Sequence, residues 1–269
     1  YARNVKHLKI GLISIMNEPD IENEGPTVGP EQYVRLMHKF IVRMQTLGMG
    51  DIRYVAPDVA GMDNGVKKYI PELMKDDFVM SHIAHFGLHS YGGYYINVDS
   101  ALSHSSHPNS DFWMTEWNAW RNGLDDGKIG QYDYNFAREC MVHLLDFMNH
   151  NARAAIAWEA YDSYYEHHAP STFSYWGILS YDSAAHRYFP RKHFYAMSQV
   201  SRFVKSGAYR IAVTKPITGL DLIAFQDSSG TMSLIGINNL DHPVVLNGKL
   251  KSLPGITRLE MYHTDKTVD

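Results

Sequence analysis

Asn17, Glu18 and Pro19 follow directly on the apolar, β-branched run LISIM (12–16), and a second glutamate, Glu116, sits inside WMTEWNAW (113–120). A carboxylic acid and a carboxylate brought to one place can divide the work of proton donor and nucleophile. The two are far apart in the chain, so only the fold can bring them together. Other reactive side chains gather at comparable points. His89 and Tyr91 close HIAHFGLHSY (82–91), Trp117 follows Glu116, and Trp158, Glu159 and Tyr161 close RAAIAWEAY (153–161). Any one of these reads equally as a solvated loop residue or a cap. Together they place every concentration of reactive side chains at the C-terminal end of a strand-like segment. In a β/α barrel that is the face on which active sites are built, because the βα loops converge there.

The elements that must position them alternate between strand and helix. LKIGLISIM (8–16) reads as a strand, and PEQYVRLMHKFIVRMQTLG (30–48) as a helix with Pro30 in its first turn and Gly48 as its stop. Tyr33, Leu36, Met37, Phe40, Ile41, Met44 and Leu47 recur at three and four, which predicts one buried stripe. IRYVAPDV (52–59), a short helix near 65–74, HIAHFGLHSY, DFWMTEW (111–117), a long helix over 131–150, RAAIAWEAY and a helix over 191–207 follow. This order predicts a parallel sheet with crossover helices, an α/β fold. After Gly207 the pattern changes to short β-type runs divided by Gly, Pro, Asn and Asp: YRIAVTK, LDLIAFQD, TMSLIGINN, HPVVLNGKL and TRLEMYHT. The expected division is therefore 1–207 for the barrel-type domain and 208–269 for a small antiparallel, sandwich-like β domain.

Composition narrows the class of partner. Lys and Arg number 25 against 29 Asp and Glu, a net charge of −4, and no basic run is present, so the footprint of a nucleic-acid binder is missing. No apolar run has the length of a membrane span, and no signal-peptide pattern precedes the first strand. The chain opens on Tyr1 and not on Met, as expected of something processed or cut from a longer sequence. Cys140, the single cysteine, excludes an internal disulfide and any CxxC site and reads as a core residue. His82, His85, His89, His104, His107 and the pair His167–His168 match no metal-ligand spacing, so no metal and no cofactor is expected. Trp113, Trp117, Trp120 and Trp176 are candidates for a sugar-binding groove, an aromatic core being the alternative for Trp113.

NEP (17–19), HSYGG (89–93), WMTEWNAW and AWEAY (157–161) resemble strands four, six, seven and eight of the retaining glycoside hydrolases of clan A, with family 30 and its neighbours nearest. FYAMSQVSRFVKSGAYRI (194–211) is similar to the segment that joins the last barrel helix to the β-sandwich beside it. The resemblance implies a partial (β/α)8 TIM-type barrel. It implies that Glu18 is the acid/base, with the higher pKa of the pair, and Glu116 the nucleophile. It also implies that Asn17 bonds the sugar 2-hydroxyl, that Tyr91 or His89 orients Glu116, and that Trp158 forms the apolar platform under the sugar. Trp117 joins the substrate-binding set as an aromatic beside the nucleophile.

The departure from that family is at the start. Strands one to three, with the arginine and aromatic residues they supply near the subsite, have no counterpart in the sequence. Five strands cannot close an eight-stranded barrel, and an open sheet leaves unpaired backbone at two edges. A homo-oligomer or a companion polypeptide completing the barrel is therefore expected, through Leu8–Met16 and Arg153–Tyr161. Two functions are compatible with these features. One is a retaining β-glycosidase or endoglycanase acting on β-linked poly- or oligosaccharide, expected to be secreted or periplasmic. The other is a catalytically incomplete fragment serving as a carbohydrate-binding or interaction module.

Overall fold

A computed structural model describes residues 1–22, 25–119, 134–163, 176–214, 218–251, 255 and 257–267. The chain folds as two compact units, one of Tyr1–Trp117 with His150–Ala157, the other of Asn118–Asn149 with Trp158–Asp269. This division follows packing and does not coincide with position 207, where the sequence pattern changes.

In the first unit five strands form one parallel sheet in the order β1 (Leu12–Ile13), β2 (Arg53–Val59), β3 (Ile83–His89), β4 (Phe112–Trp117) and β5 (Ala152–Ala157). Consecutive parallel neighbours with helices between them are the expected half of a TIM-type barrel, and among the described residues β1 and β5 pair on one side only. Helix α1 (Pro30–Thr46) starts at Pro30 as predicted, where a missing N–H costs nothing. It buries Tyr33, Met37 and Ile41, spaced four apart on one face. A continuous helical stretch follows β2: α2 (Met62–Asn64), a π-helical turn at Gly65–Tyr69 and α3 (Ile70–Leu73). The short helices α4 (Asp77–His82) and α5 (Tyr95–Ser103) were not predicted. Asp76 caps α4 by accepting from the Val79 N–H at 3.0 Å.

Phe86, Leu88, Phe112 and Met114 alternate along β3 and β4 and are wholly buried on one face of the sheet. The opposite face carries Gly87 and Thr115, and Trp113 stacked on His85. Strand β1 has only two paired residues, Leu12 with Arg53 and Ile13 with Tyr54, where nine residues read as strand. As an edge it has a single neighbour to hold it.

In the second unit α6 (Tyr134–Asn149) buries Phe136, Cys140, Met141, Leu144 and Phe147. Cys140 is a buried core thiol, as its apolar flanks predicted. The run read as one strand over 153–161 divides here. It leaves β5 at Ala157 and restarts as β6 (Tyr161–Ser163) in a separate sheet with β7 (Leu179–Asp182) and β8 (Arg187–Pro190). The buried Arg191 ties that sheet together, with Nη2 2.5 Å from Asp162 Oδ1 and Nη1 donating to the Gly177 carbonyl at 2.7 Å. Helix α7 (Lys192–Ser201) is shorter than expected, and β9 (Tyr209–Ile211), β10 (Leu220–Gln226) and β11 (Met232–Asn238) form the predicted antiparallel sheet. HPVVLNGKL and TRLEMYHT join no sheet among the described residues. Val245, Leu259 and Met261 are more than four-fifths exposed, so these segments lack the packing that would hold a strand.

Gly87 ties the core to the polar face. A Cβ there would lie 2.8 Å from Val55 Cγ1 and 3.2 Å from both Asp58 Oδ1 and Thr115 Cγ2. Gly87→Ala is expected to cost about 1–3 kcal/mol in urea denaturation, as overpacking does. A neutral or stabilising result would show that β2 yields freely at this point.

Candidate active site

Side-chain alternation along β2, β3 and β4 breaks near the C-terminal ends of the strands. Pro57 pairs with Gly87 and Val59 with Leu88, which leaves Asp58 as an extra residue, and Leu88 pairs with Met114 and His89 with Glu116, which leaves Thr115 extra. Bulges re-aim side chains. Here they bring the Thr115 hydroxyl into a very short hydrogen bond to Asp58 Oδ1, while Thr115 Oγ1 also donates to the Leu88 carbonyl at 3.2 Å. Asp58 sits at φ 63° and Glu18 at φ 44°. Asp tolerates the left-handed region, but Glu rarely adopts it, and such residues persist where the surroundings over-determine them.

Those surroundings are visible in the loop after β1. The Glu18 N–H donates to the Asp58 carbonyl at 2.9 Å. Asp20 accepts from the Ala60 N–H at 2.8 Å and from Asn64 Nδ2 at 2.9 Å. Tyr69 Oη donates to the Val28 carbonyl at 2.7 Å, and the Val28 N–H donates to the Pro19 carbonyl at 2.9 Å. The loop is thus stitched to β2 and to the helical stretch behind it, and Glu18 ends up buried.

His89, 1% exposed, lies at the centre. Its Nδ1 is 2.7 Å from Glu18 Oε1 and 3.9 Å from Glu116 Oε1, and its Nε2 is 3.3 Å from Asp58 Oδ1. Tyr91, exposed on the loop after β3, donates its hydroxyl to Glu116 Oε1 at 2.9 Å and meets the His89 ring edge to face. Oxygens of Glu18 and Glu116 approach within 4.8 Å. Three carboxyl groups thus surround one imidazole out of bulk water.

The charges settle accordingly. Burial would depress the His89 pKa, but the hydrogen bond and charge of Asp58, with Glu18 and Glu116 adding to them, raise it. Burial pushes the Asp58 carboxyl up, and the opposing hydrogen bonds from His89, Thr115 and Ser14 hold it below the usual carboxylate range. Glu116 is raised, chiefly by burial and further by Glu18 and Asp58, against the pull of the His89 charge and the Tyr91 hydroxyl. That direction is the reverse of the one expected for a resting nucleophile.

Of the residues singled out in the sequence, Glu18, His89, Tyr91 and Glu116 come together, and Asn17 is exposed next to Glu18. Trp117 does not open onto a groove: its side chain is fully buried and offers no ring face to a sugar. His89 is likewise enclosed, with its two ring nitrogens facing the carboxyl groups of Glu18 and Asp58. Trp158 is exposed, belongs to the second unit, and accepts a very short hydrogen bond at its carbonyl from Asn118. Trp113 stacks on His85, which pairs with Asp111 at 2.5 Å. His82 and His104 bond to separate neighbours, and Trp120, His167 and His168 lie outside the described residues. Asp58 and Thr115 were missed. The one signal for them is Pro57 inside a central strand, a position proline occupies at bulges.

The linked charges give a pH signature. A raised His89 adds stability that is complete below about pH 6.5 and is lost as pH rises through its folded pKa, whereas a depressed Asp58 adds stability present above about pH 3.9 and lost as pH falls through its own. In Asp58→Asn the burial of His89 remains while its principal partner is gone. The imidazole titration followed by NMR is expected to move to lower pH, and the loss of stability on the alkaline side should begin at lower pH. An unmoved His89 titration would show that Asp58 does not set it.

No family model matches the chain, and no curated protein matches it by sequence. By structure it is similar to the endo-β1,6-glucanase BT3312, with a TM-score of 0.70 at 18% identity over 88% of this chain and 53% of that one. SrfJ from Salmonella typhimurium gives 0.69 at 14% over 86% and 51%. A GH30 endoxylanase from Clostridium papyrosolvens C71 gives 0.61 at 18% over 87% and 51%. The chain spans about half the length of these structures. The likeness is one of fold: the chain has a partial TIM-type barrel fold similar to that of these structures.

Proposed function

We propose that the chain serves the hydrolysis of β-glycosidic bonds in poly- or oligosaccharides by double displacement, with Glu18 as acid/base and Glu116 as nucleophile. The observation that carries this reading is the approach of the two carboxyl groups to within 4.8 Å, close to the roughly 5–5.5 Å of retaining enzymes and well short of the separation that leaves room for an inverting water. In the first step Glu116 attacks the anomeric carbon while Glu18 gives its proton to the departing oxygen. In the second, Glu18 takes a proton from the water that releases the sugar. Tyr91 holds the Glu116 oxygen, His89 positions both carboxyl groups and Asn17 meets the 2-hydroxyl. The protein is expected to be secreted or periplasmic.

The raised Glu116 supports a second reading, a carbohydrate-binding or interaction module lacking part of its subsite. The resemblance expects an arginine from the strands ahead of β1. A guanidinium beside Glu116 would lower its pKa, as a resting nucleophile requires.

Intact-mass measurement after treatment with an activated 2-fluoro glycoside separates the two readings. The chain should gain one glycosyl unit, and Glu116→Ala should gain none. Glu18→Ala should lose about 10²–10⁴-fold on unactivated substrates, keep turnover of substrates with good leaving groups, and yield a β-glycosyl azide when azide is added. Equal loss on both substrate types would overturn the roles. Binding of oligosaccharide without labelling would favour the module.

Both sheet edges also bear on assembly. Leu12 on β1 and Ile156 on β5 are exposed apolar side chains on strands with one free edge among the described residues. A second copy or a companion polypeptide is expected to cover them. Light scattering at low micromolar concentration should therefore give more than one chain mass, and a single-chain mass unchanged on dilution would refute association.

A further inference from the structure

The same geometry that pairs the glutamates also converges three ligand atoms of the kind that bind zinc. One atom each from Glu18, His89 and Glu116 lies within 4.8 Å of the other two. His89 Nδ1 stands 2.7 Å from one carboxylate oxygen and 3.9 Å from the other. Around a tetrahedral zinc, ligand atoms about 2.0–2.2 Å from the ion stand roughly 3.3–3.5 Å from one another. The 2.7 Å contact has to open and the longer separations have to close, movements that glutamate side chains make by rotation about their own bonds. The imidazole need not move, and its far nitrogen is already engaged: Nε2 lies 3.3 Å from Asp58 Oδ1, and Asp58 is itself fixed by Thr115. A ligand histidine whose second nitrogen donates to a carboxylate is the usual outer arrangement of a zinc site, because it fixes the tautomer and directs the other lone pair to the metal.

We infer that Glu18, His89 and Glu116 form a site for a divalent transition ion of the zinc type, with Asp58 as the positioning residue behind His89 and water completing the coordination. Coordination replaces the proton held between Nδ1 and Glu18 Oε1, which leaves to solvent, and nothing is oxidised or reduced. An imidazole nitrogen and two carboxylates suit zinc, whereas calcium and magnesium take six or more oxygens. Ion binding stands without the glycosidase reading. Its consequence for turnover rests on that reading: an ion seated on both carboxylates excludes the sugar, so zinc inhibits in competition with substrate.

Calorimetry with zinc chloride on the full chain at pH 7 tests the site. One ion per chain is expected, with binding weakened at least tenfold in Glu116→Gln and in His89→Gln, and by about 10–100-fold in Asp58→Asn. His38→Ala and His82→Ala, in a separate surface cluster, should change nothing. Thermal melts confirm that each variant is folded, and Glu116→Gln, on a partly exposed side chain, keeps the test decisive if His89→Gln fails to fold. Undiminished binding in Glu116→Gln, or displacement of zinc by equimolar calcium, overturns the site. Failure of 2-fluoro glycoside labelling with zinc binding intact would count against the catalytic reading alone. Labelling without zinc binding would count against the metal site alone.

Discussion

One imidazole holds three carboxyl groups together, Glu18 and Asp58 buried and Glu116 half-buried. Without His89, Glu18, Asp58 and Glu116 would repel one another in a low-dielectric pocket, and at least two would have to be protonated or solvated. With it, Asp58 stays ionised and Glu18 is hydrogen-bonded, and the remaining strain falls on Glu116. Local features that look irregular serve this arrangement. The bulges at Asp58 and Thr115, the left-handed backbone of Glu18 and the loop stitched through Asp20 and Tyr69 each bring a side chain toward His89 or hold one there.

The parts of the molecule legible in sequence are those governed by periodicity. The α1 stripe, the alternating Phe86, Leu88, Phe112 and Met114, and the glutamates at strand ends all follow from repeats of 3.6 or 2. The site is built where those repeats fail. A reading of β2 by alternation has no reason to turn Asp58 toward His89, because it is an extra residue that only the pairing with β3 reveals. Trp117 shows a related limit: beside Glu116 in sequence, it is enclosed in the structure, and aromatic type alone does not tell a core ring from an open platform. In the C-terminal region β-type composition was read as strand in five runs, yet among the described residues the longer strands form where a neighbouring strand and a buried side are both present, as at Ile223, Phe225, Ile235 and Ile237 on β10 and β11.

The open sheet and the charge pattern are connected. In a closed barrel the inner face is packed by side chains from every strand. Here the face of β3 and β4 opposite the buried Phe86, Leu88, Phe112 and Met114 carries Gly87, Thr115 and Trp113, with His85 stacked on Trp113 and paired with Asp111.

The catalytic assignment does depend on what else surrounds the pair. Two carboxyl groups this close share protons as a unit, and the group that keeps one is whichever has the poorer counter-charge. His89 contacts Glu18 directly and Glu116 only at a distance, and burial, with Glu18 and Asp58 adding to it, raises the Glu116 pKa. A cation delivered to the Glu116 side would lower that pKa without moving a strand, so the charge on Glu116 is set by its neighbours and not by the sheet that carries it.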